Sequence, residues 1–445
     1  MGNFIMISQF ILSLTILVVL HEFGHFLPAR WFQTRVEKFY LFFNPWFSLF
    51  KKKIGDTEWG IGWLPLGGYV KISGMVDESF DTEQLNSEPK PYEFRSKPAW
   101  QRLIIMLGGV TVNFLLGFLL FALMLWYYGK EYIPTTELKY GIVTDSLAKQ
   151  MGFQDGDKIV KLGSTNLDRF DRGKLVKAMV LDNVNTVTVD RNGQMQELVI
   201  DQSHIQALTK PENKNMRLWE IPVPAEVASV ETGNGADKAG LKAGDKLLSI
   251  DGSSAKFMHE VLANLQNKKS TPINLSILRG IDTLNISLTT NEKGQIGFKP
   301  KPFTDYYKVQ SIKYGFFESF PLGIAQGWDV LTNYVKSIRQ MFSGKVKAKD
   351  SLGGFASIAN MFEKVWDWES FWRMTAVLSI ILGFMNLLPI PALDGGYVMF
   401  LIAEVVSGKK IDDKIIEKAT MVGFFLLIAL MLYANGMDVV RAWFN

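Results

Sequence analysis

Two histidines and a glutamate within five residues are the part of this 445-residue chain best suited to chemistry. They occur in the sequence His21-Glu22-Phe-Gly-His25. If this stretch is helical, His21 and His25 lie on one face with their Cβ atoms about 5–6 Å apart, so both imidazoles could bind one metal ion. Glu22 would lie to the side of this pair, where it could take a proton from a water molecule without binding the metal. The spacing therefore predicts a catalytic Zn²⁺ site with Glu22 as the general base.

A third zinc ligand has to come from elsewhere, because a catalytic zinc site uses three protein ligands and keeps one position open. The chain has no cysteine, which excludes thiolate ligands, disulfides and a cysteine nucleophile. Of the four histidines, His204 and His259 are expected to be ordinary surface residues. The best candidate is Asp394, in the sequence Asn-Leu-Leu-Pro-Ile-Pro-Ala-Leu-Asp-Gly-Gly. The alternative for Asp394 is an Asp-Gly turn that ends a helix. The alternative for the His-Glu-x-x-His motif is two interfacial histidines at a helix end.

Four apolar runs predict four transmembrane helices, since about 20 apolar residues cross a bilayer core. Lys and Arg are concentrated in the loop between the first two runs and in the loop after the third, which predicts that these loops are cytoplasmic. Both termini and the long segment between the second and third runs then lie on the other side. His21 comes late in the first span and Asp394 late in the third, and both spans run towards the cytoplasm. Both residues are therefore expected near the cytoplasmic face. The runs cover residues 4–20, 103–128, 374–393 and 421–437.

A repeat with an offset of 88 residues lies in the segment between the second and third spans. Residues 151–162, Met-Gly-Phe-Gln-Asp-Gly-Asp-Lys-Ile-Val-Lys-Leu, match residues 239–250, Ala-Gly-Leu-Lys-Ala-Gly-Asp-Lys-Leu-Leu-Ser-Ile. The pattern resembles a PDZ domain of the bacterial protease type, so two PDZ copies are expected. PDZ domains add a peptide strand to a sheet edge. These copies either bind a peptide terminus or act only as a filter of size.

Three motifs in this order resemble the site-2 protease family of intramembrane zinc metalloproteases. They are the His-Glu-x-x-His motif of the first span, residues 386–396 in the third span, and the sequence Trp-Leu-Pro-Leu-Gly-Gly-Tyr-Val-Lys-Ile-Ser-Gly at residues 63–74. The resemblance covers nearly the whole chain. The zinc ligands that it implies are His21, His25 and Asp394, with Glu22 as the catalytic base.

The resemblance also implies a set of substrate-binding residues. Asn386 would bind substrate or stabilise the oxyanion, and two prolines would shape the segment that carries Asp394. A re-entrant β-hairpin in the inner loop would pair with a substrate that has been unwound from its helix. Apart from Asn386, the residues implied are Pro389, Pro391, Gly67, Gly68, Tyr69 and Val70.

The fold expected is a multi-pass α-helical membrane protein with four transmembrane helices, a cytoplasmic re-entrant β-hairpin and two extracytoplasmic α+β PDZ domains. The first half is expected to contain transmembrane helix 1 (1–28), a cytoplasmic loop with the hairpin (29–101), transmembrane helix 2 (102–128) and PDZ domain 1 (129–215). The second half is expected to contain PDZ domain 2 (216–302), amphipathic helices (303–371), transmembrane helix 3 (372–394), a cytoplasmic loop (395–420) and transmembrane helix 4 (421–445).

The function expected is that of a zinc metalloendopeptidase of the bacterial cytoplasmic (inner) membrane, with both termini and the PDZ domains in the periplasm. The substrates that the resemblance implies are single-span membrane proteins such as an anti-sigma factor of an envelope-stress pathway, first cut by a site-1 protease, and remnant signal peptides. Membrane lipid is the other expected partner. A net charge of +4 without a basic stripe predicts no nucleic-acid partner. The alternative is a non-catalytic membrane adaptor that only displays PDZ domains.

Overall fold

The computed structural model describes residues 2–65, 67–75, 88–210, 213, 218–343 and 353–444. The chain forms two compact units. The first unit consists of Met1–Gly129 and Lys313–Asn445, and the second consists of Lys130–Ile312.

Helices dominate the first unit, and the second unit is built mainly of short strands. In chain order the helices are α1 (Gly2–Trp31), α2 (Ala99–Tyr127), α3 (Ser146–Gln150), α4 (Arg172–Val180), α5 (Gln202–Ala207), α6 (Gly235–Lys238), α7 (Met258–Leu265), α8 (Phe316–Phe342), α9 (Phe355–Ala359), α10 (Trp368–Leu387), α11 (Asp394–Ser407) and α12 (Asp413–Phe444).

Four strands belong to the first unit: β1 (Val36–Leu41), β2 (Phe50–Ile54), β3 (Thr57–Ile61) and β4 (Tyr69–Ile72). The remaining strands are β5 (Lys130–Pro134), β6 (Val143–Thr144), β7 (Lys158–Leu162), β8 (Thr165–Asn166), β9 (Arg169–Phe170), β10 (Thr186–Arg191), β11 (Gln194–Val199), β12 (Trp219–Glu220), β13 (Val227–Val230), β14 (Lys246–Ile250), β15 (Ser253–Ser254), β16 (Pro272–Arg279), β17 (Asp282–Thr289), β18 (Phe298–Pro300) and β19 (Gln310–Ile312).

Among the described residues, four helices are long and apolar enough to cross a membrane. Together with the β-sheets, they give the chain the architecture of a membrane protein with a substantial non-helical part. They lie in α1, α2, α10 and α12, and their bounds are Gly2–Trp31, Ala99–Tyr127, Trp368–Leu387 and Lys414–Arg441.

Helix α2 is the centre of the first unit and packs against α1, α8, α10 and α11. Glycines allow the backbones of these helices to lie close together. A Cβ atom on Gly24 of α1 would collide with the backbone of Gly108 on α2, and a Cβ atom on Gly323 of α8 would collide with Ala122. Small residues at such contacts are typical of helices in lipid, where backbones approach closely for van der Waals contact.

The segment between α1 and α2 forms a four-stranded sheet in the order β2-β3-β1-β4. Residues 67–70 are predicted to be part of a re-entrant hairpin. In the structure, β4 pairs antiparallel with β1, a strand about thirty residues earlier in the sequence. β1 and β3 are parallel, with Lys38 opposite Glu58. β4 is therefore an edge strand, and its second edge is not covered by another described strand.

The third apolar helix ends earlier than residue 394. Helix α10 stops at Leu387 because Leu388 precedes Pro389, and a residue before proline is disfavoured in the helical conformation. Ala392 has a φ of 83°, which turns the chain back. Asp394, the last residue of the predicted third span, is then the first residue of a new helix, α11. The rest of α11 lies in the stretch expected to be a cytoplasmic loop.

The last helix is longer than the predicted span of residues 421–445. It runs Asp413–Phe444, and Lys414 and Lys418 belong to its first turns. The apolar run alone does not show where this helix starts, because a helix can continue into charged residues where these are in contact with water. Residues 303–371 contain α8 and the short α9, with residues 344–352 outside the described part.

The second unit contains two copies of one strand arrangement. The sheets run β8-β7-β10-β11 and β15-β14-β16-β17. The offset of 88 residues persists, since β7 begins at Lys158 and β14 at Lys246. Each copy has its own apolar core. The expected boundary between the copies, at residues 215 and 216, lies outside the described residues.

A buried aspartate occupies the same place in both copies. Asp157 binds Arg191 through two hydrogen bonds of 2.8 Å, and Asp245 binds Arg279 through two of 2.7 Å. Each arginine also donates to the carbonyl oxygen of a glycine, Gly152 in the first copy and Gly240 in the second. The shared bonding explains why the aspartate of Gly-Asp-Lys recurs at the same point of the repeat.

Candidate metal centre

Three potential metal ligands converge between two helices of the first unit. His21 and His25 extend from one face of α1 and are both buried. Asp394 reaches them from the start of α11. The two Nε2 atoms are 3.3 Å apart, and each lies 3.3 Å from Asp394 Oδ2.

These distances suit a zinc ion. Zinc bonds to nitrogen and oxygen of about 2.0–2.1 Å in a tetrahedron place neighbouring ligand atoms about 3.3–3.4 Å apart. Three ligands of this kind leave a fourth position, which is the composition of a catalytic site rather than a structural one.

The hydrogen bonding around His25 orients its ring for metal binding. His25 Nδ1 lies 2.9 Å from the carbonyl oxygen of Ile105, which can only accept, so Nδ1 carries the hydrogen. In a neutral imidazole Nε2 then presents a lone pair to Asp394. Asp394 Oδ2 is buried and has no hydrogen-bond partner among the described residues. Lone pairs held this close repel one another, and a cation between them removes the repulsion.

Glycine on α2 makes room for both imidazoles. A Cβ atom on Gly109 would collide with His25 Nε2 and would lie 2.7 Å from His21 Cε1. Gly24, within the motif itself, is the residue that brings α1 against Gly108. Both glycines therefore set the depth at which the histidine pair sits against α2.

The side chain of Glu22 points to the four-stranded sheet between α1 and α2. It is partly buried, and the backbone of Val70 in β4 approaches its carboxylate. A Cβ atom on Gly68 would meet Val18 Cγ1 at 2.7 Å and Glu22 Cγ at 3.6 Å. Gly67 has a φ of 145°, which a residue with a side chain rarely adopts. These glycines let the start of β4 lie directly against the helix that carries the motif.

Two asparagines reach His21. Asn386, in the last turn of α10, has its Nδ2 atom 3.3 Å from His21 Nε2. Asn113 on α2 has its Nδ2 atom 3.0 Å from His21 Nδ1. Asn386 is among the site residues implied by the sequence, whereas no role was predicted for Asn113. One signal of Asn113 in the sequence is that it places an amide in the middle of an apolar span, where polar groups are costly.

The prolines of the third motif shape the turn between α10 and α11. Pro389 is exposed and Pro391 is partly buried. A Cβ atom on Gly396 would lie 2.6 Å from the carbonyl oxygen of Ile390, and one on Gly395 would collide with the carbonyl of Leu387. The Asp-Gly-Gly sequence therefore allows the turn to fold back onto the first residues of α11, where Asp394 sits.

The other two histidines lie in the second unit. His204 is in α5, and His259 is in α7 with its ring stacked on Phe257. Neither belongs to the cluster of His21, His25 and Asp394, which is the group of potential metal ligands found in the described part of the chain.

Four apolar helices and a buried His-His-Asp cluster beside a glutamate define a class of protein, the membrane-embedded metalloproteases. The sequence model described as peptidase family M50 matches residues 9–430, and the chain belongs to this family. It is a zinc metalloprotease of the site-2 type.

Relatives match this chain over almost its whole length. A Neisseria meningitidis protein named as a zinc metalloprotease is 30% identical, with 97% of this chain and 98% of the relative covered. Regulator of sigma-E protease RseP of Escherichia coli K12 is 28% identical, and 98% of each chain is covered. The RseP protein of Salmonella typhimurium shows the same identity and coverage.

Proposed function

We propose that this protein hydrolyses peptide bonds within the transmembrane segments of single-span membrane proteins. The observation that carries the proposal is the triangle of His21 Nε2, His25 Nε2 and Asp394 Oδ2, with edges of 3.3 Å, inside a unit of apolar helices. An ionisable cluster at membrane depth is costly and is retained where it has a function.

In this proposal His21, His25 and Asp394 hold the zinc ion. When bound, zinc acts as a Lewis acid that makes water more acidic and polarises a carbonyl. Glu22 takes the proton from the attacking water and delivers it to the amine of the leaving peptide. Attack by water makes the peptide carbonyl carbon tetrahedral and leaves negative charge on its oxygen. The amide of Asn386, next to His21, donates a hydrogen bond to this oxygen.

The edge strand β4 binds the substrate as an extended strand. A helical substrate hides its peptide bonds in its own hydrogen-bond ladder, so it must unwind before attack. In lipid the freed N–H and C=O groups need new partners, and a sheet edge provides them. Tyr69 and Val70 lie in this strand, and Val70 approaches Glu22, so a strand added there passes beside the catalytic base.

The substrates proposed are anti-sigma factors and remnant signal peptides, after a first protease has removed the bulk of the outer domain. Support comes from relatives named for regulation of sigma E. The protein would lie in the inner membrane with its second unit, containing two PDZ domains, in the periplasm. That unit would exclude substrates with a bulky outer domain.

A cleavage assay in vesicles tests the proposal. Tagged single-span substrates are incubated with the wild type, with Glu22→Gln and with a chelator. Cleavage is expected only for the wild type without chelator, while Glu22→Gln still captures substrate. His259→Ala is the matched control and should cut normally. Equal cleavage by Glu22→Gln and wild type would contradict the proposal. Substrate capture without cleavage by the wild type would favour a PDZ adaptor.

A further inference from the structure

We infer that Asn113 is a positioning residue for the zinc site: its side-chain oxygen accepts the hydrogen of His21 Nδ1 and thereby fixes the ring form that binds zinc through Nε2. The inference rests on the proposed zinc site. It adds a residue from α2 to a site whose ligands come from α1 and α11.

The amide of Asn113 is fully buried at the His21 ring. Its exposed fraction is 0%. Nδ2 lies 3.0 Å from His21 Nδ1, and Oδ1 has no hydrogen-bond partner among the described residues. A buried amide oxygen without a donor destabilises the folded state. A half-turn about the Cβ–Cγ bond exchanges Oδ1 and Nδ2, which are nearly identical in shape.

The two amide orientations demand opposite forms of His21. If Nδ2 donates to Nδ1, the ring hydrogen is on Nε2, and that nitrogen cannot bind a metal. If Oδ1 faces Nδ1, the ring hydrogen is on Nδ1, Oδ1 gains its donor, and Nε2 presents a lone pair to Asp394. The second orientation satisfies the buried oxygen and the metal site together.

His25 provides an internal precedent. Its Nδ1 is held 2.9 Å from the carbonyl oxygen of Ile105, also on α2. With Asn113 in the same role, α2 supplies one oxygen acceptor to each imidazole. Partners of this kind fix ring orientation, and their loss typically lowers metal affinity about 10–100-fold.

Asn113 is itself held from a third helix. Ser379 of α10 donates to the backbone oxygen of Asn113 at 2.7 Å. Gly383, one turn further along α10, lies against the Asn113 side chain, where an added Cβ would be 3.4 Å from Asn113 Cβ. The amide is thus confined at the level of the histidine pair.

Zinc affinity of the full-length protein in detergent, measured by competition with a chromogenic chelator, tests the inference. Asn113→Leu removes the acceptor and is expected to raise the zinc dissociation constant about 10–100-fold. Asn113→Asp keeps an oxygen acceptor and should stay within a few-fold of wild type. Gln9→Leu removes another fully buried amide from the same unit and should leave zinc affinity unchanged.

A cobalt-loaded sample gives a second readout that does not depend on activity. The d–d absorption of Co²⁺ should be altered in Asn113→Leu and restored in Asn113→Asp, while thermal unfolding without metal shows whether each variant is folded. Wild-type affinity in a folded Asn113→Leu, or equal losses in the Leu and Asp variants, would overturn the inference. Absence of zinc binding in the wild type would instead overturn the proposed function.

Discussion

At the residue scale, the position of the two histidine rings depends on glycines, whose lack of a side chain leaves room for the rings. Gly109 lies where a Cβ atom would strike both rings, and Gly24 brings α1 onto α2. Alanine is a better helix former than glycine, by about 1 kcal/mol in a helix interior. A harmful Gly109→Ala substitution would therefore report on ring position and not on helix stability.

We expect Gly109→Ala to lower zinc affinity and cleavage rate at least about tenfold, because the backbone of α2 cannot move away without losing its contact with α1. Gly436→Ala, in α12, is the matched control. A Cβ atom added there meets no other atom within 4 Å. Equal zinc affinity in the two variants would contradict this assignment.

The spacing of His21 and His25 predicts that the two rings converge, since a helix needs only local geometry to bring positions i and i+4 together. Asp394 could be named as a candidate because it is a carboxylate late in another apolar run, at a depth similar to that of His21. The contact between Asn113 and His21 could not be foreseen, since it depends on which residue of α2 faces His21. That pairing is set by packing between two helices that are far apart in the sequence.

At the element scale, β4 is an edge strand placed beside Glu22. The sequence predicts strand character at residues 69–72. It does not predict that β4 pairs with β1, nor that β1 and β3 are parallel, because strand partners are chosen by long-range contacts. The break after Leu387 is foreseeable from Pro389, whereas the new helix that begins at Asp394 is not.

Strand addition at β4 predicts that substrates differ in rate according to how easily they unwind. A substrate span with a central Gly-Pro pair should be cut at least about tenfold faster than an all-Leu span of the same length, because each of these residues destabilises a helix interior by about 1–3 kcal/mol. Initial rates in vesicles measure this difference. Equal rates would show that unwinding does not limit cleavage.

The Asp–Arg ion pairs of the two repeat copies allow a paired test of stability. Asp245→Ala removes the buried carboxylate that binds the partly exposed Arg279 and should destabilise the second copy by about 1–3 kcal/mol. Hydrogen exchange of β14, β16 and β17 should then quicken while the first copy is unchanged. Asp157→Ala should give the mirror result. If either substitution speeds hydrogen exchange equally in both copies, the two copies do not fold as separate cores.

The same pair has a defined pH dependence. The hydrogen bonds from Arg279 hold the pKa of Asp245 below its usual value. A lowered folded-state pKa stabilises the fold above the unfolded-state pKa, and this stabilisation is lost as pH falls through the folded-state value. The protection of the second copy against hydrogen exchange, corrected for the intrinsic rate at each pH, should therefore begin to fall only in strongly acidic solution.

At the scale of the whole molecule, the chain separates into a unit of apolar helices with the candidate metal site and a second unit inserted between two of these helices. Composition and hydropathy predict this plan, because apolar runs and repeat periods are read directly from sequence. The insertion leaves and returns at neighbouring points, since Lys130 pairs with Ile312 across β5 and β19.

This pairing makes a clean deletion feasible. Joining Gly129 to Lys313 through a short Gly-Ser linker removes residues 130–312 and leaves the described metal ligands in place. If the second unit filters by size, the shortened enzyme should cut substrates whose outer domains are intact, which the full chain refuses. Cutting of pre-trimmed substrates by both forms is the control. Continued refusal of intact substrates would contradict the filter.

The most direct test of the account is the zinc content of purified protein, measured by elemental analysis after dialysis. The account predicts about one zinc ion per chain in the wild type and in His204→Ala. It predicts near-complete loss in His21→Ala, His25→Ala and Asp394→Ala. A wild type without zinc, or full zinc content in folded Asp394→Ala, would contradict it.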